Sequence, residues 1–183
     1  MKQLLNKNLL FTSLDIASHH ILNNIVFSDK LKGNLKSRST ANFGKVYQYK
    51  GVDYEENDYN NTPDLIKQIG EEAVKALKEE LNIGMNINNC LVNIYSNGKQ
   101  KMGYHSDDVE QLVDGTGVLI VSVGSARILA FRKKGEIETA DEFVLTNGSI
   151  FYMDAKCQEE YKHAILASTD DTPRISLTFR QLK

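Results

Sequence analysis

His105-Ser106-Asp107 places an imidazole and a carboxylate two positions apart. On an extended strand, residues i and i+2 point to the same face, so both groups can converge on one ion. A third donor must come from elsewhere in the chain. Of the four histidines, His19 and His20 are neighbours on an amphipathic stretch and read as surface or helix-packing residues. His163, just ahead of the last strand pattern, is the remaining donor. Two imidazoles and one carboxylate leave coordination positions open. That is the donor set of non-haem iron(II) oxygenases, which take a co-substrate and oxygen at the open positions.

A His-x-Asp triplet often arises by chance, and the last strand adds independent weight. Arg174, Ser176, Thr178 and Arg180 alternate with Ile175, Leu177 and Phe179. One face is apolar; the other carries two guanidinium groups six positions apart. Cations inside a β-rich core are costly unless something pairs with them. A dicarboxylate is a natural partner, because the guanidinium fork matches a carboxylate with two parallel hydrogen bonds. Asn93 and Tyr95 likewise share one strand face and offer an amide and a phenol to an anion.

The elements that must position these groups follow from periodicity. Residues 14–26 carry Leu14, Ala17, Ile21, Leu22 and Ile25 at helical spacing behind Ser13, a plausible cap. Over 30–50 the pattern reads as a loop and then a short strand or hairpin containing Tyr47 and Tyr49, and 53–62 as a polar, acidic loop. The clearest helix is 63–82, with Thr62 as its expected cap, Pro63 and Asp64 in its first turn and Gly84 closing it. Leu65, Ile66, Ile69, Ala73, Val74, Leu77 and Leu81 form its apolar stripe. Beyond Gly84 the period becomes two. Strands are expected at 90–95, 102–106, 117–124, 126–132, 142–146, 149–154, 161–166 and 174–180. Helices followed by many short strands predict an α+β, mainly β domain: a sandwich or jelly roll with helices backing one sheet.

Three blocks now carry a likeness to a known family. The first is Arg38-Ser-Thr-Ala-Asn-Phe43-Gly44, then Tyr47-x-Tyr49-x-Gly51. The second is Asn88-Asn-Cys-Leu-Val-Asn93-Ile-Tyr95, then His105-Ser-Asp107-Asp108. The third is His163 followed by Arg174-Ile-Ser-Leu-Thr-Phe-Arg180. In order and spacing they resemble the AlkB-type nucleic-acid dealkylases, a branch of the 2-oxoglutarate/iron(II)-dependent dioxygenases. The resemblance implies a double-stranded β-helix (jelly-roll) core with N-terminal helices and a nucleotide-recognition lid. It implies one domain over 1–183: N-terminal helix and substrate lid in 1–62, a supporting helix at 63–82 and the catalytic core at 88–183.

By the same resemblance, His105, Asp107 and His163 hold Fe(II), with 2-oxoglutarate and O2 as co-substrates. Arg174 and Tyr95 take the distal carboxylate of 2-oxoglutarate. Arg180 and Asn93 serve the end that chelates the metal, and Ser176 shares their strand face. The implied reaction is oxidative demethylation of alkylated DNA or RNA bases, such as 1-methyladenine or 3-methylcytosine, with release of formaldehyde, succinate and CO2. The alternative is a 2-oxoglutarate dioxygenase that hydroxylates a protein, lipid or small molecule.

Such a base must be flipped out or single-stranded to be reached. Residues 30–50 carry Lys30, Lys32, Lys36, Arg38, Lys45 and Lys50 and no acid, in a chain of net charge −2. Phe43, Tyr47 and Tyr49 are interleaved with them. Cations with aromatics suit phosphate contact and base stacking, so Arg38, Phe43, Tyr47 and Tyr49 are expected substrate contacts. Many family members have an acid four positions after the first iron ligand. Here that position is Val109, and Asp108 and Glu110 on either side are taken as base contacts.

Composition excludes several classes. With 41% hydrophobic and 25% charged residues the chain reads as one ordinary globular domain, expected to be monomeric. No apolar run approaches the roughly 20 residues of a membrane span. The start, broken by Asn and Lys, does not read as a secretory signal, so an intracellular protein of cytoplasm or nucleus is expected. Cys90 and Cys157 are expected as free thiols.

Overall fold

The computed structural model describes residues 2–4, 37–48 and 58–183. The expected helix at 14–26, His19 and His20, the lysines at 30, 32, 36 and 50, Tyr49 and the acidic stretch 53–57 lie outside the described residues.

Two antiparallel sheets face each other. The larger contains β1 (Lys2–Leu4), β2 (Ser39–Gly44), β3 (Asn89–Tyr95), β5 (Gly117–Gly124), β8 (Ile150–Asp154) and β10 (Arg174–Arg180) in the order β1-β8-β5-β10-β3-β2. The smaller contains β4 (Met102–His105), β6 (Arg127–Lys133), β7 (Asp141–Leu145) and β9 (Tyr161–Ile165) in the order β4-β9-β6-β7. This is the jelly roll that the strand pattern predicts. Every strand expected after residue 88 forms, with its ends displaced by no more than one residue. The alternating pattern fixes register as well as existence, because a slip of one residue would turn each apolar face outward.

Two strands of the larger sheet come from the first 62 residues, the stretch assigned to an N-terminal helix and lid. β2 lies at 39–44, earlier than the strand or hairpin expected around Tyr47 and Tyr49, and it pairs with β3 along its whole length. It ends at Gly44, whose φ of 82° suits glycine, and a Cβ there would run into the Asn88 carbonyl.

α1 (Asp64–Leu81) lies against one face of the larger sheet. Ile66, Ile69, Ala73 and Leu77 are buried in a cluster with Ile94, Val121, Val123, Ile175, Leu177 and Phe179. Each such large aliphatic side chain stabilises the fold by roughly 1.5–3 kcal/mol. Gly70 permits the close approach, because a Cβ there would sit 2.9 Å from the Phe179 ring. The ends of α1 differ from expectation. Pro63 occupies the cap position with no side-chain bond, and the Thr62 hydroxyl is buried without a partner among the described residues. Asn82, with φ 57°, closes the helix and donates its N–H to Lys78, two residues before Gly84. Asn tolerates this left-handed conformation better than most residues, so the helix needs no glycine there.

A second cluster fills the space between the sheets. Phe131 stacks on Phe151 at 5.6 Å, and Val118, Leu129, Leu145, Met153 and Ile165 surround the pair. Between β8 and β9, where the sequence pattern predicts no element, the six residues of α2 (Ala155–Glu160) form a short helix. These are too few to show a helical period. The Asp154 carboxylate starts it by accepting from the Cys157 N–H at 2.7 Å. Cys90 and Cys157 are buried free thiols. Among the described residues no helix is long and apolar enough to cross a membrane.

Candidate metal centre

Register across the sheets builds the site. Within the larger sheet, β10 runs between β3 and β5. Arg174 lies opposite Tyr95, Ser176 opposite Asn93 and Ser122, and Arg180 opposite Asn89. Residues directly opposite share a face. One face of β3 and β10 therefore presents Asn93, Tyr95, Arg174, Ser176 and Arg180 together, turned away from α1 and towards the smaller sheet. Within the smaller sheet, His105 at the end of β4 pairs directly with His163 of β9, and the ring centroids are 4.3 Å apart. The chain then leaves the strand and brings Asp107 in beside them. One ligand atom from each of His105, Asp107 and His163 lies within 4.8 Å of the others.

Hydrogen bonds aim the three groups. His105 Nδ1 lies 2.9 Å from the Gly103 carbonyl. A proton on Nδ1 completes that bond and leaves Nε2 as the donor atom, the usual arrangement of a ligating histidine. Asp107 Oδ2 accepts from Arg180 Nη2 at 2.7 Å, while Oδ1 stands 3.8 Å from His105 Nε2. One carboxylate oxygen is thus committed to the arginine and the other faces the imidazoles.

Protonation states suit a cation. Burial, helped by the neighbouring His105, pushes His163 down to about 3, so it stays a neutral imidazole. Burial also lowers His105, against the pull of Asp107. For Asp107 burial is the largest effect and raises the carboxyl. Arg180, His163 and His105 together outweigh it and hold the carboxyl at about 2. Two neutral imidazoles and one carboxylate are the forms that ligate a metal without first losing a proton.

The two arginines of β10 are placed differently. Arg180 lies 4.1 Å over the Tyr47 ring and bonds Asp107. Arg174 is completely buried, and its Nε donates to Ser122 Oγ at 2.9 Å. Its guanidinium carbon is 5.3 Å from the Tyr95 ring centre, and among the described residues neither Nη1 nor Nη2 has a partner at hydrogen-bonding geometry. Burial lowers it to about 10, still a cation at neutral pH. Two parallel N–H donors without partners are what a carboxylate would satisfy. The residues present therefore fit both a metal ion and a dicarboxylate.

A cavity between the sheets joins the metal cluster to Tyr95, Ser176 and Arg180; Arg174, opposite Tyr95, is not part of its lining. Arg38, Tyr47, Asn93, Tyr95, Met102, His105, Asp107, His163, Ser176 and Arg180 line it with Leu91, Ile120 and Ile165. Arg38 reaches in from the residue before β2, with Nε on Asn93 Oδ1 at 2.7 Å and Nη1 3.0 Å from Met102 Sδ. A residue expected at the substrate thus meets one expected at the co-substrate.

Three expected substrate contacts are placed elsewhere. Phe43 lies opposite Cys90 in β3 and packs on the α1 side of the sheet. Alternation along β2 turns Thr40 and Asn42 one way and Ala41 and Phe43 the other, so Phe43 belongs to the core. Asp108 does not line the cavity. Its carboxylate caps the short 3-10 turn Val109–Gln111, accepting from the Glu110 N–H and from Gln111 Nε2. Glu110 is exposed on that turn, also outside the cavity lining. Tyr47 does line the cavity, but it is buried beneath Arg180 instead of standing in an open lid. Sequence reasoning missed Ser122, which orients Arg174. A lone serine within Gly-Val-Leu-Ile-Val-Ser-Val-Gly, across β10 from Ser176, was the available signal.

Comparison with known proteins agrees with this geometry. The sequence pattern of the 2OG-Fe(II) oxygenase superfamily matches residues 2–180. The chain is 40% identical over 114 residues to protein R406 of Acanthamoeba polyphaga mimivirus, covering 60% of this chain and 59% of that protein. It is 29% identical over 153 residues to the bovine alpha-ketoglutarate-dependent dioxygenase alkB homolog 3, covering 78% of this chain and 51% of the relative. It is 30% identical over 108 residues to the mouse DNA oxidative demethylase ALKBH2, covering 54% and 45%. The chain spans a little over half the length of the first two. The solved structure of OsALKBH1 has the same fold, with a TM-score of 0.63 at 17% identity over 92% of each chain.

Proposed function

The chain belongs to the 2OG-Fe(II) oxygenase superfamily, on its AlkB-type branch, and from that premise we propose that it demethylates alkylated nucleic-acid bases by oxidation. The observation that carries this reading is the pairing of a His-Asp-His cluster with the buried, unpartnered Arg174 fork on the adjoining sheet face.

In this reading His105 Nε2, Asp107 Oδ1 and His163 hold Fe(II). Arg174 and Tyr95 receive the distal carboxylate of 2-oxoglutarate, and Ser176, Asn93 and Arg180 line the path from there to the metal. When bound, iron, 2-oxoglutarate and oxygen supply the oxidising power, and the products are formaldehyde, succinate, CO2 and the restored base. The chain's own residues do the rest. Arg180 keeps Asp107 ionised and aims its second oxygen. Leu91, Ile120 and Ile165 exclude water from the reacting groups. Arg38 is the one cation of the expected lid, among the described residues, that lines the cavity, and we assign it to the substrate side. The catalytic core is 88–183 together with β1 and β2, backed by the helix expected at 63–82.

The name of the mouse relative, and the basic, aromatic stretch 30–50, favour a nucleic acid, DNA or RNA, single-stranded or with its target base flipped out. The test is formaldehyde release and 2-oxoglutarate turnover across a panel of methylated DNA and RNA oligonucleotides. At least one oligonucleotide bearing 1-methyladenine or 3-methylcytosine should raise iron-dependent succinate formation above the rate without substrate. If none does, the nucleic-acid reading fails, and a protein, lipid or small-molecule substrate takes its place.

A further inference from the structure

β4 ends at His105, on the edge of the smaller sheet. Asp107, two residues later, is on backbone that belongs to no strand. The alternation that would set its direction on a strand therefore does not reach it, yet its side chain is buried and aimed. Something other than the β-ladder must hold it.

Two buried side chains from distant parts of the chain meet this loop at consecutive peptide groups. Gln158, on α2, is 1% exposed, and its Oε1 accepts the Asp107 N–H at 2.9 Å. Its Nε2 points at Met153 Sδ, 3.5 Å away. The reverse orientation of the amide would set donor against donor at Asp107, so the bond network fixes the carbonyl towards the loop. Tyr47, also 1% exposed, accepts the Asp108 N–H with its hydroxyl. Its ring carries the Arg180 guanidinium, whose Nη2 grips Asp107 Oδ2. The peptides on both sides of the Asp107 Cα and one of its carboxylate oxygens are thus each held by a separate bond. Only Oδ1 is left, turned towards His105 Nε2.

We infer that Gln158 and Tyr47 are positioning residues for the metal centre, setting the direction from which Asp107 Oδ1 meets the ion. Neither touches the ion; each acts through the backbone of the loop. A carboxamide is a poor choice for filling a buried space, since its polar atoms must be satisfied there, and its place against a ligand's own N–H gives it a use. The inference rests on His105, Asp107 and His163 being the ligands.

The test is titration of the full-length, metal-free protein with Co(II), read from its visible d–d absorption, beside thermal unfolding of the metal-free protein. Gln158→Met removes the acceptor and keeps length and apolar bulk. Tyr47→Phe removes the hydroxyl and keeps the ring beneath Arg180, so a folded variant is at hand even if Gln158→Met is unstable. Each is expected to weaken Co(II) binding by about tenfold or more and to alter the absorption bands, as outer partners of metal ligands do. A purely structural role would lower the melting temperature while affinity and bands stayed at parental values, and that result overturns the inference. Asp107→Ala separates the two levels. If it binds Co(II) as the parent does, the ligand assignment is wrong. If it loses Co(II) while Tyr47→Phe and Gln158→Met match the parent, the ligands stand and the positioning role falls.

Discussion

Arg174 and Arg180 lie on one strand and one face, and both are almost completely inaccessible. Their surroundings are opposite. Arg180 is engaged by the Asp107 carboxylate and the Tyr47 ring, with Asn89 Oδ1 3.4 Å away, and among the described residues its Nε is the one nitrogen left without a partner. Arg174 is bonded from Nε to Ser122 and lies beside the Tyr95 phenol, and among the described residues its two terminal nitrogens meet no carboxylate and complete no hydrogen bond. A buried cation with a carboxylate partner belongs to the folded protein itself. A buried cation without one costs stability and makes sense when its partner arrives later. On the proposed function, the difference would separate the arginine that builds the metal site from the arginine that receives the co-substrate.

Removing each in turn tests that division, and the larger loss of stability should follow Arg180. Arg180→Met leaves the Asp107 carboxylate buried and uncompensated, a change that typically costs about 3–5 kcal/mol. Urea unfolding of the metal-free protein should show it. Arg174→Met should do the reverse. Stability of the metal-free protein should hold or rise, because an unpaired buried cation has gone. Binding of 2-oxoglutarate to the metal-loaded protein should weaken by about 3 kcal/mol, roughly 100-fold, the usual scale for removing one partner of a buried charged pair. Calorimetric titration would read it. Equal losses of stability in the two variants, or undiminished 2-oxoglutarate binding by Arg174→Met, would erase the distinction.

β10 was the most legible part of the molecule. Seven residues of strict alternation, bounded by Pro173 on one side, set its limits, its apolar face and its cationic face. The His105-Asp107 pair was legible for a reason only partly kept. The two side chains do converge, but the strand stops at His105, and Asp107 is aimed by Arg180 and by hydrogen bonds to its loop. Parity explains the failure at Phe43. With no strand expected at 39–44, nothing signalled that Phe43 must share a face with Ala41 and pack under α1. Asp108 was read by its nearness to a ligand, when the Glu110 N–H and the Gln111 side-chain amide had first claim on its carboxylate. Gln158 left no signal at all: within Cys-Gln-Glu-Glu it looks like an exposed residue, and only the short α2 turns it inward.

Another of the buried polar atoms without a partner among the described residues extends the comparison, and it should give the smallest effect. The Thr62 hydroxyl, beside the start of α1, is as orphaned as the Arg174 nitrogens. It is neutral, and Pro63 caps the helix without help from its side chain. Thr62→Val keeps the branched shape and removes an oxygen that makes no bond. An unsatisfied buried hydroxyl carries a desolvation cost of about 1–3 kcal/mol, only part of which a methyl group recovers. The variant should therefore be as stable as the parent or up to about 1 kcal/mol more stable in urea, with 2-oxoglutarate binding unchanged. If Thr62→Val instead weakened 2-oxoglutarate binding as Arg174→Met is expected to, an orphaned polar atom would not by itself mark where a ligand goes. The case for Arg174 would then rest on its charge and on the strand face it shares with Tyr95 and Ser176 alone.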